Sequence, residues 1–180
     1  MIGILVTIVF VAALGARWWV ATINRFARLA VKVQEAASGI DVALVRRWDT
    51  LTKMLDVTKG YAAHEAETLK GVVMLRQGMG MQEKSDAAAK MDEVAGRLNI
   101  LAESYPELRS SETFQQLQRS VMEAEGELQA ARRIYNMNVS QFDQLLASWP
   151  AGIVGRKHGH VPAEFFEAEP TKRGDVKMAF

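Results

Sequence analysis

Residues 112–149 read ETFQQLQRSVMEAEGELQAARRIYNMNVSQFDQLLASW, and their apolar spacing is the clearest sign of helical architecture in the chain. Phe114, Leu117, Val121, Ala124, Leu128, Ala131, Tyr135, Val139, Phe142, Leu146 and Trp149 recur at steps of three and four. Such steps place all of them along one side of an α-helix, as a seam of near 3.5-residue period that must be covered by other helices. Ser110-Ser111-Glu112 supplies capping residues and an early acid at its start. Trp149-Pro150-Ala151-Gly152 ends it. A helix over 110–148 would run about 58 Å. Trp149, as the last residue of the seam, is expected to be buried.

The same pattern extends outward on the N-terminal side. Ala88, Met91, Val94 (or Ala95), Leu98, Leu101 and Tyr105 form a second seam. It predicts a helix over about 84–104, ended by Tyr105-Pro106 because the residue before proline avoids the α region. A third seam runs Ile23, Phe26, Ala30, Val33, Ala37, Ile40, Leu44, Trp48, Leu51 and Leu55. Trp48 is expected at its buried centre. Lys59-Gly60-Tyr61 interrupts that helix, and Gly78-Met79-Gly80 is the strongest break before Tyr105. Strand-like alternation is not sustained anywhere, and few turns are expected from 4 Pro and 13 Gly. The chain reads as all-α, with a loop and an extended tail over 151–180.

Before the third seam, Met1 to Ala16 carry no charge and Thr7 is their only polar residue. Sixteen helical residues span about 24 Å, short of the roughly 30 Å hydrocarbon core. Extending the span to Thr22 makes up the difference, with Arg17 snorkelling and Trp18 and Trp19 at the interface. The rival reading is a cleaved signal peptide, for which Ala13-Leu14-Gly15-Ala16 would be the exit; it lacks a basic n-region. Arg17, Arg25, Arg28 and Lys32 follow the run and none precedes it. The positive-inside rule then predicts an outside N-terminus and a cytoplasmic remainder. The expected organisation is a transmembrane anchor over 1–22, a helical bundle over 23–150 and the tail over 151–180. No Pro or Gly lies between Gly15 and Gly39, so anchor and first bundle helix should be one rod.

Composition removes several function classes. The chain is 49% apolar and 24% charged, with 22 Lys+Arg against 21 Asp+Glu and a net charge of +1. That balance gives no electrostatic case for nucleic acid as a partner. The absence of cysteine excludes disulfides, cysteine-ligated metal and thiol catalysis. Charge is uneven, however. Segment 17–60 holds eight basic and four acidic residues, and segment 61–147 holds nine basic and thirteen acidic. The basic part lies next to the span, where each cation gains roughly 1 kcal/mol against anionic lipid.

Individual motifs point to structure rather than chemistry. His64-Glu65 lacks the second histidine of a His-Glu-x-x-His zinc site, and is expected to cap or bridge the junction after Gly60. His158-Gly159-His160 reads as a solvated loop. Arg46, Arg47 and Asp49 surround Trp48; Arg47 and Asp49 flank the seam, Arg46 points elsewhere, and a pair with Glu123, Glu125 or Glu127 would set register between helices. Arg132, Arg133 and Asn136 read similarly. Met74, Met79, Met81 and Met91 cluster near the tight break and fill gaps or offer an adaptable contact surface. No phosphate loop, nucleophile elbow or paired-carboxylate pocket is present. The expectation is a non-enzyme without cofactor or metal.

Seven stretches, in order along the chain, resemble the LemA family of bacterial membrane-anchored helical proteins. They are Ile23-Asn24-Arg25, then Arg46-Arg47-Trp48-Asp49, then Lys59-Gly60-Tyr61-Ala62-Ala63-His64-Glu65. There follow Tyr105-Pro106-Glu107-Leu108, Ala131-Arg132-Arg133-Ile134-Tyr135-Asn136, Trp149-Pro150 and Phe165-Phe166-Glu167. The chain departs from the family where Thr50-Leu51-Thr52-Lys53 replaces Leu-Ile-Pro-Asn. The resemblance implies an elongated, antiparallel, up-and-down four-helix bundle on one N-terminal span. It implies no catalytic residues, and a relative's part in magnetosome membrane formation hints at membrane organisation. The function expected on this reading is a scaffold or membrane-organising homo-oligomer, single-pass in the inner (plasma) membrane, with membrane lipid as partner. The alternative is an adaptor or sensor for a single membrane or signalling protein.

Overall fold

The computed structural model describes residues 1–70, 75 and 78–167. Met74 and the tail beyond Glu167, including the expected extended piece, lie outside the described residues. Among the described residues all regular structure is helical. The helices are α1 (Ile2–Thr58), α2 (Ala63–Lys70), α3 (Met81–Ser104), α4 (Pro106–Ser110), α5 (Glu112–Ala147) and α6 (Ala151–Lys157).

The breaks follow from local chemistry. α1 stops as Tyr61 and Ala62 both donate their N–H to the Thr58 carbonyl, each at 2.9 Å. The Thr58 hydroxyl turns back to the Met54 carbonyl at 2.8 Å and is buried. α3 starts after Gly80, whose N–H donates to Glu83 Oε2 at 2.9 Å, so Glu83 satisfies a backbone donor left over at the helix start. Pro106 opens α4, where its missing N–H costs nothing. Ser111 precedes α5 and its hydroxyl accepts from the Phe114 N–H at 3.5 Å.

α1 is one helix of 57 residues, long and apolar enough to cross a membrane. Its residues through Trp18 are exposed, and burial along it starts with Trp19 and Thr22. The helix therefore carries an unpartnered apolar stretch and a packed stretch without a break between them.

The chain packs as two compact units. One comprises Met1–Ala37 and Tyr135–Glu164, the other Ser38–Ile134 with the residues from Phe165. The first has a small core of Phe26, Phe142, Leu145 and Leu146, flanked by Leu29, Ala30, Val33 and Ala151. The second has a larger, mainly aliphatic core. Ile40, Leu44, Leu51 and Leu55 of α1 are buried there, with Met91, Val94 and Leu98 of α3 and Phe114, Ala124 and Leu128 of α5.

Three expectations need correction. Trp149 is 85% exposed, because α5 ends at Ala147 and the helical period no longer governs its direction. Residues 151–157 form α6 rather than loop, and Gly152 and Gly155 inside it are buried. Trp48 is only half-buried; Arg47, one residue earlier, takes the inward position between Leu44 and Leu51.

Candidate functional site

The most heavily paired cluster sits in the Ser38–Ile134 unit. The side chain of Arg47 is 4% exposed and reaches from α1 to both α3 and α5. Its Nη2 donates to Asp92 Oδ1 and lies 2.6 Å from Glu125 Oε2. Its Nη1 donates to the Ala88 carbonyl at 3.4 Å. The Glu125 contact is an ion pair without hydrogen-bond alignment, since Glu125 Oε2 and Arg47 Nε have no hydrogen-bond partner among the described residues. Glu125 is steadied through its other oxygen, which accepts from Gln129 Nε2 at 2.8 Å. A planar guanidinium can serve two carboxylates and a carbonyl at once, so this residue joins three helices.

Around it are simpler pairs. Arg46 is exposed off the seam and pairs with Glu127 of α5, one of the three acids expected as an inter-helix partner. Lys84 of α3 reaches Asp41 of α1 at 2.6 Å. Asp49 is exposed. The segment from Phe165 joins the same unit: Phe166 is 2% exposed, and the Arg132 guanidinium lies 4.6 Å over its ring. The Glu167 carbonyl accepts from Ser85 Oγ at 2.7 Å and from Arg132 Nη2 at 3.4 Å. Arg133 is exposed and Asn136 is half-buried.

His64 and Glu65 do not bridge the Gly60 junction. They are exposed on α2 and line a groove of about 300 Å³ with Leu69, Arg97, Ile100 and Ser104. The junction is bridged instead by Lys59, 3.3 Å from Glu67 and 3.9 Å from Asp56. Tyr105 is half-buried and Pro106 exposed, where they separate α3 from α4. No group of three His, Asp or Glu suited to a metal ion occurs among the described residues.

The other unit is built differently. His160 stacks on Phe26 at 5.1 Å and stands edge-on to Phe142 at 5.5 Å, while Phe26 and Phe142 meet edge-to-face at 5.9 Å. These are favoured aromatic geometries, so His160 completes an aromatic core rather than a metal site. Trp19 meets His158 at 6.1 Å and Lys157 Nζ at 5.4 Å, a cation–π contact. His158 Nδ1 lies 2.9 Å from the Val154 carbonyl. Glycine is required for this packing: a Cβ on Gly155 would stand 2.6 Å from Phe26 Cζ and 2.8 Å from Leu146 Cδ1. Trp18 is 42% exposed, and Pro150 follows a cis peptide bond before α6.

The chain after α6 is fastened to α5 of this unit. Ala163 donates its N–H to Asp143 Oδ1 at 3.0 Å, and the Tyr135 hydroxyl donates to the Glu164 carbonyl at 2.7 Å. Burial, with the Glu164 and Asp143 carboxylates adding to it, raises the Tyr135 phenol above its ordinary 10.0. The phenol is thus held as a donor.

A third feature lies on this unit's surface. Arg25, Arg28, Leu29 and Lys32 of α1 and Gln141, Gln144, Leu145 and Ser148 of α5 line a groove of about 640 Å³. None of its cations is in an ion pair among the described residues.

Comparison with known proteins agrees with these motifs. The model of the LemA family matches residues 36–180. Protein LemA of Metamycoplasma hominis is 28% identical over 158 residues, covering 85% of this chain and 72% of the relative. Magnetosome protein MamQ 2 of Paramagnetospirillum magneticum is 23% identical over 208 aligned residues, covering 99% of this chain and 74% of the relative. Magnetosome protein MamQ of Magnetospirillum gryphiswaldense is 21% identical, covering 98% and 74% respectively.

Proposed function

The chain belongs to the LemA family, and from that premise we propose that it is a non-catalytic scaffold anchored in the membrane by the first part of α1. The observation that carries this reading is the unbroken helix from Ile2 to Thr58, exposed and apolar at one end and packed at the other. The arrangement proposed is an up-and-down bundle. Contacts of Phe26 with Phe142 and of the Lys32 carbonyl with Asn138, in one unit, support antiparallel pairing of α1 and α5 there. The basic residues after Trp19 support a cytoplasmic bundle in the inner membrane. Similarity to magnetosome proteins supports a role in organising membrane, since those relatives are named for a membrane-bounded organelle.

Homo-oligomerisation is part of the proposal. Ala12, Ala13, Gly15 and Ala16 give a face small enough for close packing between anchors. A slightly short span also favours clustering, because packing of anchors relieves the mismatch. The natural chain has no cysteine, so a single Ala13→Cys substitution reports on this contact alone. Oxidative crosslinking in native membranes should give a dimer band, and mass measurement in mild detergent a multiple of the 20.0 kDa chain. A monomeric mass with no crosslink would overturn the oligomer. A monomer that co-purifies with one membrane protein would favour an adaptor instead.

A further inference from the structure

The groove lined by Arg25, Arg28 and Lys32 has a chemistry and a depth that fit one ligand. Its walls present three cations, the amides of Gln141 and Gln144 and the hydroxyl of Ser148, with no carboxylate. Leu29 and Leu145 contribute the apolar part. Arg46, Arg47 and Arg97 each find an acid, whereas Arg25, Arg28 and Lys32 converge on one groove that offers none among its lining residues. Three cations left without an acid in a polar groove are a vacancy for an anion that can reach several donors together, the pattern of a phosphate.

Depth narrows the source. If the span ends near Thr22, Arg25 lies about 4.5 Å and Arg28 about 9 Å further along the helix. The headgroup layer of each leaflet is roughly 5–8 Å thick. Arg25 is therefore at headgroup level, Arg28 stands just past its outer edge where a long stem can reach back into it, and Lys32, about 15 Å along, closes the outer end. Trp19, with Lys157 and His158 against it, sits six residues or about 9 Å before Arg25, near the level where tryptophan prefers the bilayer interface. Ser148, on the groove wall, is followed by the exposed Trp149.

We propose that this groove is a binding site for the phosphate of an anionic phospholipid headgroup, held by Arg25, Arg28 and Lys32. It would make the membrane-anchored protein selective for anionic lipid around its own anchor. The inference rests on the anchored reading given above, and the test separates the two.

The full chain is reconstituted into nanodiscs of mixed phosphatidylcholine and phosphatidylglycerol. Lipids retained after mild extraction are identified by native mass spectrometry. Each Lys or Arg at an anionic surface contributes roughly a factor of five, so phosphatidylglycerol should be enriched about tenfold or more over its share of the bilayer. The variant Arg25→Gln/Arg28→Gln/Lys32→Gln should lose this enrichment and retain the bulk ratio. The charge-keeping variant Arg25→Lys/Arg28→Lys should keep most of it, which guards against loss through misfolding. Arg109→Gln/Arg119→Gln/Arg133→Gln removes the same charge from exposed positions elsewhere and should change nothing. Unchanged enrichment in the first variant, or equal loss in the distant one, would overturn the site. Displacement of the lipid by millimolar glycerol phosphate would also overturn it, showing a site for a soluble phosphate. A chain that does not enter nanodiscs at all would contradict the anchor, a separate failure.

Discussion

In the unit formed by Ser38–Ile134, Arg46, Arg47 and Lys84 each meet a carboxylate on another helix. In the unit formed by Met1–Ala37 and Tyr135–Glu164, Arg25, Arg28 and Lys32 meet none among the described residues. The cores differ as well. One is mainly aliphatic, with Phe114 and Phe166 buried in it, and is keyed by a buried guanidinium; the other centres on an aromatic cluster, with His160 between two phenylalanines and a glycine giving room to Phe26. Similar basic residues on one long helix thus stand in two different settings, and a separate role is proposed for each. Where acids face them they fix helix register. Where none does, they remain available to an anionic surface.

The largest expected effect tests the paired side. Arg47→Ala leaves Asp92 and Glu125 facing each other without their shared cation, and should cost about 3 kcal/mol of unfolding free energy in detergent denaturation. Both acids are about 30% exposed, which puts the cost at the low end for broken buried pairs. A loss below about 1 kcal/mol would show that the node does not hold the three helices.

The aromatic side is tested next. Gly155→Ala forces a methyl against Phe26 and Leu146 and should cost about 2 kcal/mol, read in the same titration. Unchanged stability would show that α6 can move away from Phe26.

A smaller effect is expected at Tyr135. Tyr135→Phe removes the hydrogen bond to the Glu164 carbonyl and should cost about 1 kcal/mol. The raised phenol value has a definite sign: the folded protein holds this proton more tightly than the unfolded chain. Its contribution is intact below the ordinary 10.0 and is lost as pH rises above it. Stability of the parent should therefore fall more steeply above that pH than stability of the Phe variant, measured by thermal unfolding across an alkaline series.

The smallest effects are at the surface. Arg46→Ala should cost about 0.5 kcal/mol, because both members of its pair are exposed. Trp149→Ala should likewise change folding stability by less than about 0.5 kcal/mol in detergent. In bilayers, however, loss of Trp149 should remove part of the fluorescence quenching by brominated lipid. A fluorescence signal that brominated lipid leaves untouched would place Trp149 away from the interface.

Much of the helical layout was legible in the sequence. Breaks at Gly60, Gly78–Gly80 and Pro106 are written in residues with strong local rules, and the apolar seams of α1, α3 and α5 are buried or half-buried along their length, Trp149 excepted. Four things were not legible, each for a physical reason. Gly152 and Gly155 read as loop punctuation, yet their lack of a Cβ serves close packing in α6. Trp149 continues the seam in spacing but lies beyond the last residue of α5, where spacing carries no direction. A pair with Glu125 was readable as an option, but the inward position of Arg47 also depends on Asp92 of α3, a contact between distant helices that no local pattern reveals. The His160 stack is non-local in the same way.

On the proposed topology, α1 crosses the membrane and continues unbroken into a cytoplasmic bundle. Single cysteines at Leu14, Arg28 and Ser140, probed with a membrane-impermeant maleimide in intact cells and in inverted vesicles, test it most directly. Leu14→Cys should be labelled only after detergent, and Arg28→Cys and Ser140→Cys only in inverted vesicles. Labelling of Leu14→Cys without detergent, or of Arg28→Cys in intact cells, would contradict it.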